Sequence, residues 1–89
     1  MFLAKVRGTV VSTQKDERLV GTKLLITQRI DVEGNYLSRP NVSVDTVGAG
    51  VGETVIVAEG SSARVASGRT DSPIDSAIVG IVDTTEVEA

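Results

Sequence analysis

The chain has 89 residues, a formal net charge of −3 at pH 7, and neither cysteine nor histidine. This length suits one small domain, and the missing residue types exclude disulfide frameworks, thiolate nucleophiles and most zinc or imidazole-based mechanisms. We therefore expect neither a two-domain enzyme nor zinc- or histidine-dependent catalysis, and we expect no cofactor or metal because the sequence contains no motif that would bind one.

Charge and aromatic content also bear on partners and location. The negative charge opposes attraction to phosphate backbones, and Phe2 and Tyr36 are the only aromatic residues that could stack on bases. No apolar stretch reaches the roughly 20 residues of a membrane span. The N-terminal apolar residues meet a charge at Lys5, too soon for a signal peptide. The sequence predicts a cytoplasmic protein that binds neither nucleic acid nor membranes.

Composition and the first third of the chain indicate β structure. Valine, isoleucine and threonine make up 30 of the 89 residues, and β-branched side chains pack well on pleated sheets but lose rotamer freedom in helices. Phe2 to Val11 alternate in polarity with a period of two, which predicts a first strand. A charged connection follows, and Leu19 to Ile30 predict a second strand.

The rest of the chain alternates short strands with turn signals. In chain order it predicts a turn at 31–35, a short extended segment at 36–39 that Pro40 ends, a strand at 42–47, a glycine-rich loop at 48–53, an apolar strand at 54–58, a short helix at 60–68, a loop at 69–76 and an apolar strand at 77–82. A serine is available to cap the helix start, and Gly68 is placed to end it. These elements predict an all-β domain over residues 1–83, a small closed barrel with one short helix, followed by a short acidic tail at 84–89.

Two of the predicted strands, 54–58 and 77–82, are apolar on both faces, although a small barrel has only one inside. Leaving about four Val or Ile side chains in water would forgo roughly 6–12 kcal/mol, comparable with the whole stability of a small domain. Either a subunit interface or the helix and tail of the same chain must cover the outward face, and the interface is the leading interpretation. Ile78, Val79 and Ile81 are the candidates for core or interface positions.

The glycine-rich loop contains Gly48, Ala49, Gly50 and Gly52. It lacks the third glycine of a dinucleotide fingerprint, and a strand follows where that fingerprint needs a helix. No Gly-Lys-Ser/Thr sequence follows, which excludes a P-loop. We interpret the segment as a tight connection whose missing Cβ atoms allow backbones to approach closely, including around a symmetry axis if the chain is an oligomer.

The start of the predicted helix, Gly60-Ser61-Ser62-Ala63-Arg64, has two interpretations. A helix start leaves backbone N–H groups without intrahelical partners, and with a nearby guanidinium it forms a compact donor surface for carbonyls or carboxylates. The alternative is a capped helix with an exposed arginine.

Five segments taken together resemble the EutN/CcmL family, the vertex shell proteins of bacterial microcompartments such as carboxysomes and metabolosomes. The segments are Gly8 to Thr13, Leu19 to Ile26, Val44 to Glu53, Gly60 to Arg64, and Pro73 to Asp83. They occur in order over nearly the whole chain.

The resemblance implies an OB-like β-barrel that forms a homopentamer at the fivefold corners of a microcompartment shell and has no catalytic activity. It also implies contact with neighbouring hexameric shell proteins through Gly60, Ser61, Ser62, Ala63 and Arg64. The tail after Asp83 is shorter than in the longest family members, so no added C-terminal role is expected.

The sequence leaves the type of microcompartment open, together with whether an axial opening conducts metabolites. The competing class is a small oligomeric β-barrel that binds an oligonucleotide or a ligand, which would require a basic or aromatic face.

Overall fold

The computed structural model describes residues 1–88, and five strands and one α-helix make up its regular structure. In chain order these are β1 (Phe2–Val10), a 3₁₀ turn (Glu17–Leu19), β2 (Lys23–Arg29), β3 (Asn41–Asp45), β4 (Thr54–Glu59), α1 (Ser61–Ser67) and β5 (Ser76–Val82). The strands close a barrel in the order β1-β2-β3-β5-β4. All neighbours are antiparallel except β3 and β5, which run parallel. The predicted all-β barrel with one short helix is confirmed.

Alternate residues of the strands fill the inside of the barrel, as the period-two pattern requires. This core consists of Ala4 and Val6 of β1, Leu25 of β2, Val55 and Val57 of β4, and Ile78 of β5, with Ala49 from the glycine-rich loop. Each of these aliphatic side chains is at most 1% exposed, and Phe2 packs against them.

One end of the barrel interior is polar. The hydroxyl of Ser43 lies 2.7 Å from that of Thr27 and 2.6 Å from that of Ser76. Asn41 joins this cluster by accepting from Thr27 and donating to Ser76. Buried hydroxyl groups cost free energy unless they are hydrogen-bonded, and here they satisfy one another.

Helix α1 covers part of the outside of the barrel. Ala63 of the helix is fully buried against Val44, Ile74 and Ala77, and Leu19, Leu24 and Val79 pack around this second cluster. Part of the outward apolar surface of the last strand is therefore covered within the chain, which was the alternative to a subunit interface.

Several element boundaries differ from the sequence prediction. The second strand begins at Lys23, because Glu17–Leu19 forms a 3₁₀ turn that Asp16 caps by accepting from the Arg18 N–H. The segment at 36–39 contributes only one isolated bridge, between Ile30 and Tyr36. No helix within residues 1–88 is long and apolar enough to cross a membrane.

The two ends of α1 are both formed by glycine. Gly68 ends the helix in the left-handed conformation at φ 72°, as predicted. The N-cap is Gly60 at φ 64° and ψ −138°, without any side-chain cap, so the expected serine cap is wrong. A positive φ at this position suits glycine and strains any residue with a Cβ atom.

Candidate assembly surfaces

The segment Gly60–Arg64 lies at the surface where β4 turns into α1. The Gly60 N–H donates to the Asp75 carbonyl at 2.8 Å, which fixes the helix start against the loop before β5. Gly60, Ser61 and Ser62 are exposed. These three residues are therefore available for contact with another molecule.

Arg64 is half-buried and is used in part by its own chain. Its Nη1 donates to the Ile74 carbonyl at 3.0 Å and so ties the helix to the loop before β5. A guanidinium carries five N–H donors, and only Nη1 has a partner among residues 1–88. Arg64 is neither a freely solvated arginine nor a dedicated contact residue, since one edge supports the fold and the remaining donors are unused.

Ala63 is the one member of the segment whose side chain is not available for contact with another molecule. Its side chain is 0% exposed and packs against the barrel in the second cluster. Small size explains this position, because a larger side chain would push the helix away from β3 and β5. A side-chain contact with a neighbouring molecule must therefore come from the other members of the segment.

The three candidate positions on β5 have three different environments. Ile78 is 0% exposed in the barrel core, and Val79 packs outside the barrel under α1. The β4–β5 register shifts at this point, so Val79 has no opposite residue on β4. Ile81 is 36% exposed. Ile78 therefore belongs to the core, and Ile81 is the member of the three available to a partner.

Other apolar side chains are also exposed on the protomer. Residues with half or more of their surface in solvent are Met1, Val11, Val20, Val32, Leu37, Val51, Val65 and Val87. Helix α1 covers only the second cluster, so much outward apolar surface still faces solvent. This exposure favours association, since apolar area is stabilising when removed from water.

The glycine-rich loop closes the barrel end opposite the hydroxyl cluster. Ala49 is 1% exposed and inserts into the core. The Asp45 carboxylate, only 2% exposed, accepts from the N–H groups of Val47 and Ala49, and Lys23 Nζ donates to the Ala49 carbonyl at 2.8 Å. Lys23 is thus a structural residue that holds this loop in place.

The glycines of this loop are explained by backbone conformation. Gly48 and Gly52 have φ values of 81° and 92°, and a Cβ atom at either position would meet nothing within 4 Å. Close approach of backbones inside the chain, our expectation from the sequence, is therefore not the reason for these two glycines. Their open surroundings leave room for a neighbouring subunit, and an axial position of the loop stays a prediction.

Two carboxylates at the surface have a lowered pKa because of hydrogen bonds to them. The side-chain hydrogen bond from Arg18 lowers the pKa of Asp16 to about 2, and backbone hydrogen bonding from Asn35 lowers the pKa of Asp31. Both carboxylates organise surface turns. Residues 1–88 contain no group of three potential metal-ligating side chains.

Both aromatic rings are already covered by arginine side chains. The guanidinium carbon of Arg7 lies 4.7 Å from the Tyr36 ring centre, and that of Arg29 lies 4.9 Å from the Phe2 ring centre. Recognition of single strands relies on free aromatic faces and a basic groove. Each ring instead carries an arginine side chain, although Tyr36 is still 49% exposed.

We therefore expect no measurable binding of single-stranded DNA or RNA at physiological salt. The physical reasons are the net negative charge and the two covered rings. Fluorescence anisotropy with labelled oligonucleotides measures this directly. Affinity tighter than micromolar that weakens steeply with added salt would instead support the oligonucleotide-binding alternative.

Sequence reasoning missed one basic surface, which we call the arginine side. It consists of Lys5, Arg7, Tyr36 and Arg39. Gln28 connects it, since it accepts from Arg7 Nη1 and donates through Nε2 to the Ser38 carbonyl at 2.7 Å. The sequence did contain a signal for it: residues 70–89 hold five acidic and no basic residues, so the rest of the chain carries a net charge of +2.

Comparison with known proteins assigns the chain to a family of shell proteins. The family described as "Ethanolamine utilisation protein EutN/carboxysome" matches residues 1–83. The chain belongs to this EutN/CcmL family, so the resemblance seen in the sequence is confirmed.

Individual relatives are named as vertex proteins. The chain is 57% identical over 86 residues to the bacterial microcompartment shell vertex protein GrpN of Rhodospirillum rubrum, covering 97% of each chain. It is 53% identical over 89 residues to the carboxysome shell vertex protein CcmL of Nostoc sp., covering 99% of this chain and 88% of that one.

Solved structures of these relatives have the same fold. The CcmL structure from Nostoc sp. aligns with a TM-score of 0.91 at 53% identity, over 99% of this chain and 93% of that chain. The GrpN structure, described as a pentameric microcompartment shell protein, aligns with a TM-score of 0.89 at 55% identity, over 99% of this chain and 100% of that chain. Similarity therefore extends over the whole domain and its surface loops.

Proposed function

We propose that this protein is a structural vertex protein of a bacterial microcompartment shell, assembled as a homopentamer and without catalytic activity. The observation that carries the proposal is the 55% identity over nearly the full length to a shell protein described as pentameric. The protomer exposes apolar side chains, including Ile81, and this supports the proposal because assembly into a ring would bury part of that apolar surface.

The function of such a ring is geometric. A flat layer of hexameric tiles cannot close into a polyhedron, and a pentamer placed at each corner introduces the required curvature. A ring of five needs head-to-tail interfaces, in which each protomer presents two different surfaces to its neighbours.

Hexameric shell proteins are the second partner that we propose. The exposed residues Gly60, Ser61 and Ser62, with the unused donors of Arg64, form a polar surface next to the barrel. Backbone and guanidinium donors at this surface suit the carbonyl or carboxylate groups of a neighbouring tile.

We expect the purified protein to be a homopentamer at micromolar concentration. Native mass spectrometry or light scattering measures the number of chains directly. A stable monomer would contradict the proposed ring, because the exposed apolar surface would then need no partner. A hexamer would agree with a subunit interface on the exposed apolar surface but would contradict a position at a fivefold vertex.

A further inference from the structure

Acidic and basic residues are unevenly distributed along the chain, and the C-terminal end is acidic. The C-terminal arm, which we define as residues 83–88, contains Asp83, Glu86 and Glu88 and no basic residue. All six residues of the arm are exposed, and none of them forms an ion pair among residues 1–88.

The arginine side is the positively charged counterpart. Arg7 and Arg39 are exposed, and neither they nor Lys5 form an ion pair within the described part of the chain. Asp31, in the turn just before Tyr36, is already occupied by hydrogen bonds from the Glu33 and Asn35 N–H groups and the Asn35 side chain. The arginine side thus offers unneutralised cations around the half-exposed ring of Tyr36.

Apolar residues accompany the charges on both surfaces. Val87, between Glu86 and Glu88, is 61% exposed, and Leu37, beside Tyr36, is 57% exposed. The two surfaces are therefore complementary in charge and similar in apolar content.

Charge segregation of this kind suits a contact between two copies of the chain. A head-to-tail ring joins two different surfaces of each protomer at every interface, and the oppositely charged C-terminal arm and arginine side are two such surfaces. Five extended residues, 84–88, span up to about 17 Å, which is enough to leave the parent protomer.

We propose that the C-terminal arm of each protomer binds the arginine side of the next protomer in the ring. This inference rests on the proposed pentamer and names the second copy of this chain as the occupant of the arginine side. It assigns a role to residues 84–88, which follow the family match that ends at residue 83, and for which the sequence predicted none.

The absence of cysteine from the chain allows a direct test by cross-linking. In the Leu37→Cys/Val87→Cys double variant both new thiols replace exposed side chains, and all of the proposed charge partners remain. After mild oxidation at low protein concentration, we expect a non-reducing denaturing gel to show a ladder of linked chains that stops at five. An internal one-chain disulfide, or no disulfide, would overturn the proposal.

Two controls separate this result from chance collision and from failure of the pentamer. Each single-cysteine variant should give at most an arm-to-arm or side-to-side pair, and a mixture of the two should give a heterologous two-chain product. Native mass spectrometry of the unmodified protein is done first. A pentamer without the ladder overturns only the arm contact, whereas a monomer overturns the proposed function.

Charge reversal gives a second, energetic test. Glu86→Lys/Glu88→Lys or Arg7→Glu/Arg39→Glu should each raise the concentration at which the ring dissociates by about tenfold at low salt, and less at high salt. Combining all four changes should restore most of the loss. Equal dissociation of all variants would overturn the proposal.

Discussion

Replacing Ile78 with aspartate should leave no folded protein at 25 °C. Ile78 is 0% exposed in the barrel core, where the Val57 side chain lies opposite on β4. An unpaired buried carboxylate costs about 3–5 kcal/mol, and the lost apolar burial adds to it. Small domains have total stabilities of about 5–15 kcal/mol, and a chain of 89 residues lies toward the low end of this range, so a combined loss of about 5–8 kcal/mol removes its stability. Circular dichroism and thermal unfolding measure the result.

The matched control lies on the same strand. Ile81→Asp introduces the same side chain at a position that is 36% exposed, so the carboxylate keeps much of its hydration and the monomer should fold. We expect this variant to reduce the fraction of pentamer instead. If both variants remained soluble pentamers, our assignment of a buried position and an exposed position on β5 would be wrong.

The second large effect concerns shell closure. Arg64→Ala should form pentamers that no longer dock among hexameric tiles, because the substitution removes the unused guanidinium donors next to Gly60–Ser62. It also removes the hydrogen bond to the Ile74 carbonyl, and charged donors contribute about 1.5–3 kcal/mol each. Each ring would lose this contact at all five protomers, and because the five contacts bind together, the combined effect on docking is larger than that of one contact. Co-expression with the hexameric tiles should give open or elongated assemblies in electron micrographs.

Arg69→Ala separates docking from stability. Arg69 lies just after α1 and donates from Nη1 to the Arg18 carbonyl at 3.0 Å, so its removal breaks a similar guanidinium-to-carbonyl bond outside the candidate segment. We expect a comparable shift in thermal stability with normal closed shells. If the Arg64→Ala variant is incorporated into closed shells as often as the wild type, Arg64 supports the helix and makes no contact with the tiles.

The strands were predictable because their side chains alternate, and the turns were predictable because glycine tolerates positive φ and proline fixes φ. The limits appeared where tertiary contacts override the local pattern. Ser43 faces the barrel interior, because Thr27 and Ser76 on neighbouring strands satisfy its hydroxyl. No local pattern within β3 reveals partners that lie 16 and 33 residues away along the chain.

The candidate contact segment was predictable in position but not in detail. Its sequence indicated a helix start, yet burial of Ala63 and the bond from Arg64 to Ile74 depend on where the loop before β5 returns to the helix. The arginine side was missed for a related reason. Lys5, Arg7 and Arg39 are separated in sequence and come together only when β1, β2 and the segment after β2 are side by side.

The position of β5 has a consequence for synthesis of the subunit. Since β5 lies between β3 and β4 in the barrel, a nascent chain without residues 76–82 holds at best an open sheet, with β3 and β4 as unpaired edges that can recruit other chains. Strands that are far apart in the sequence also pair slowly during folding. A truncated or still-tethered subunit is therefore incompetent to enter a ring and prone to aggregate, so the cell receives assembly-ready protomers only after the last strand has left the ribosome.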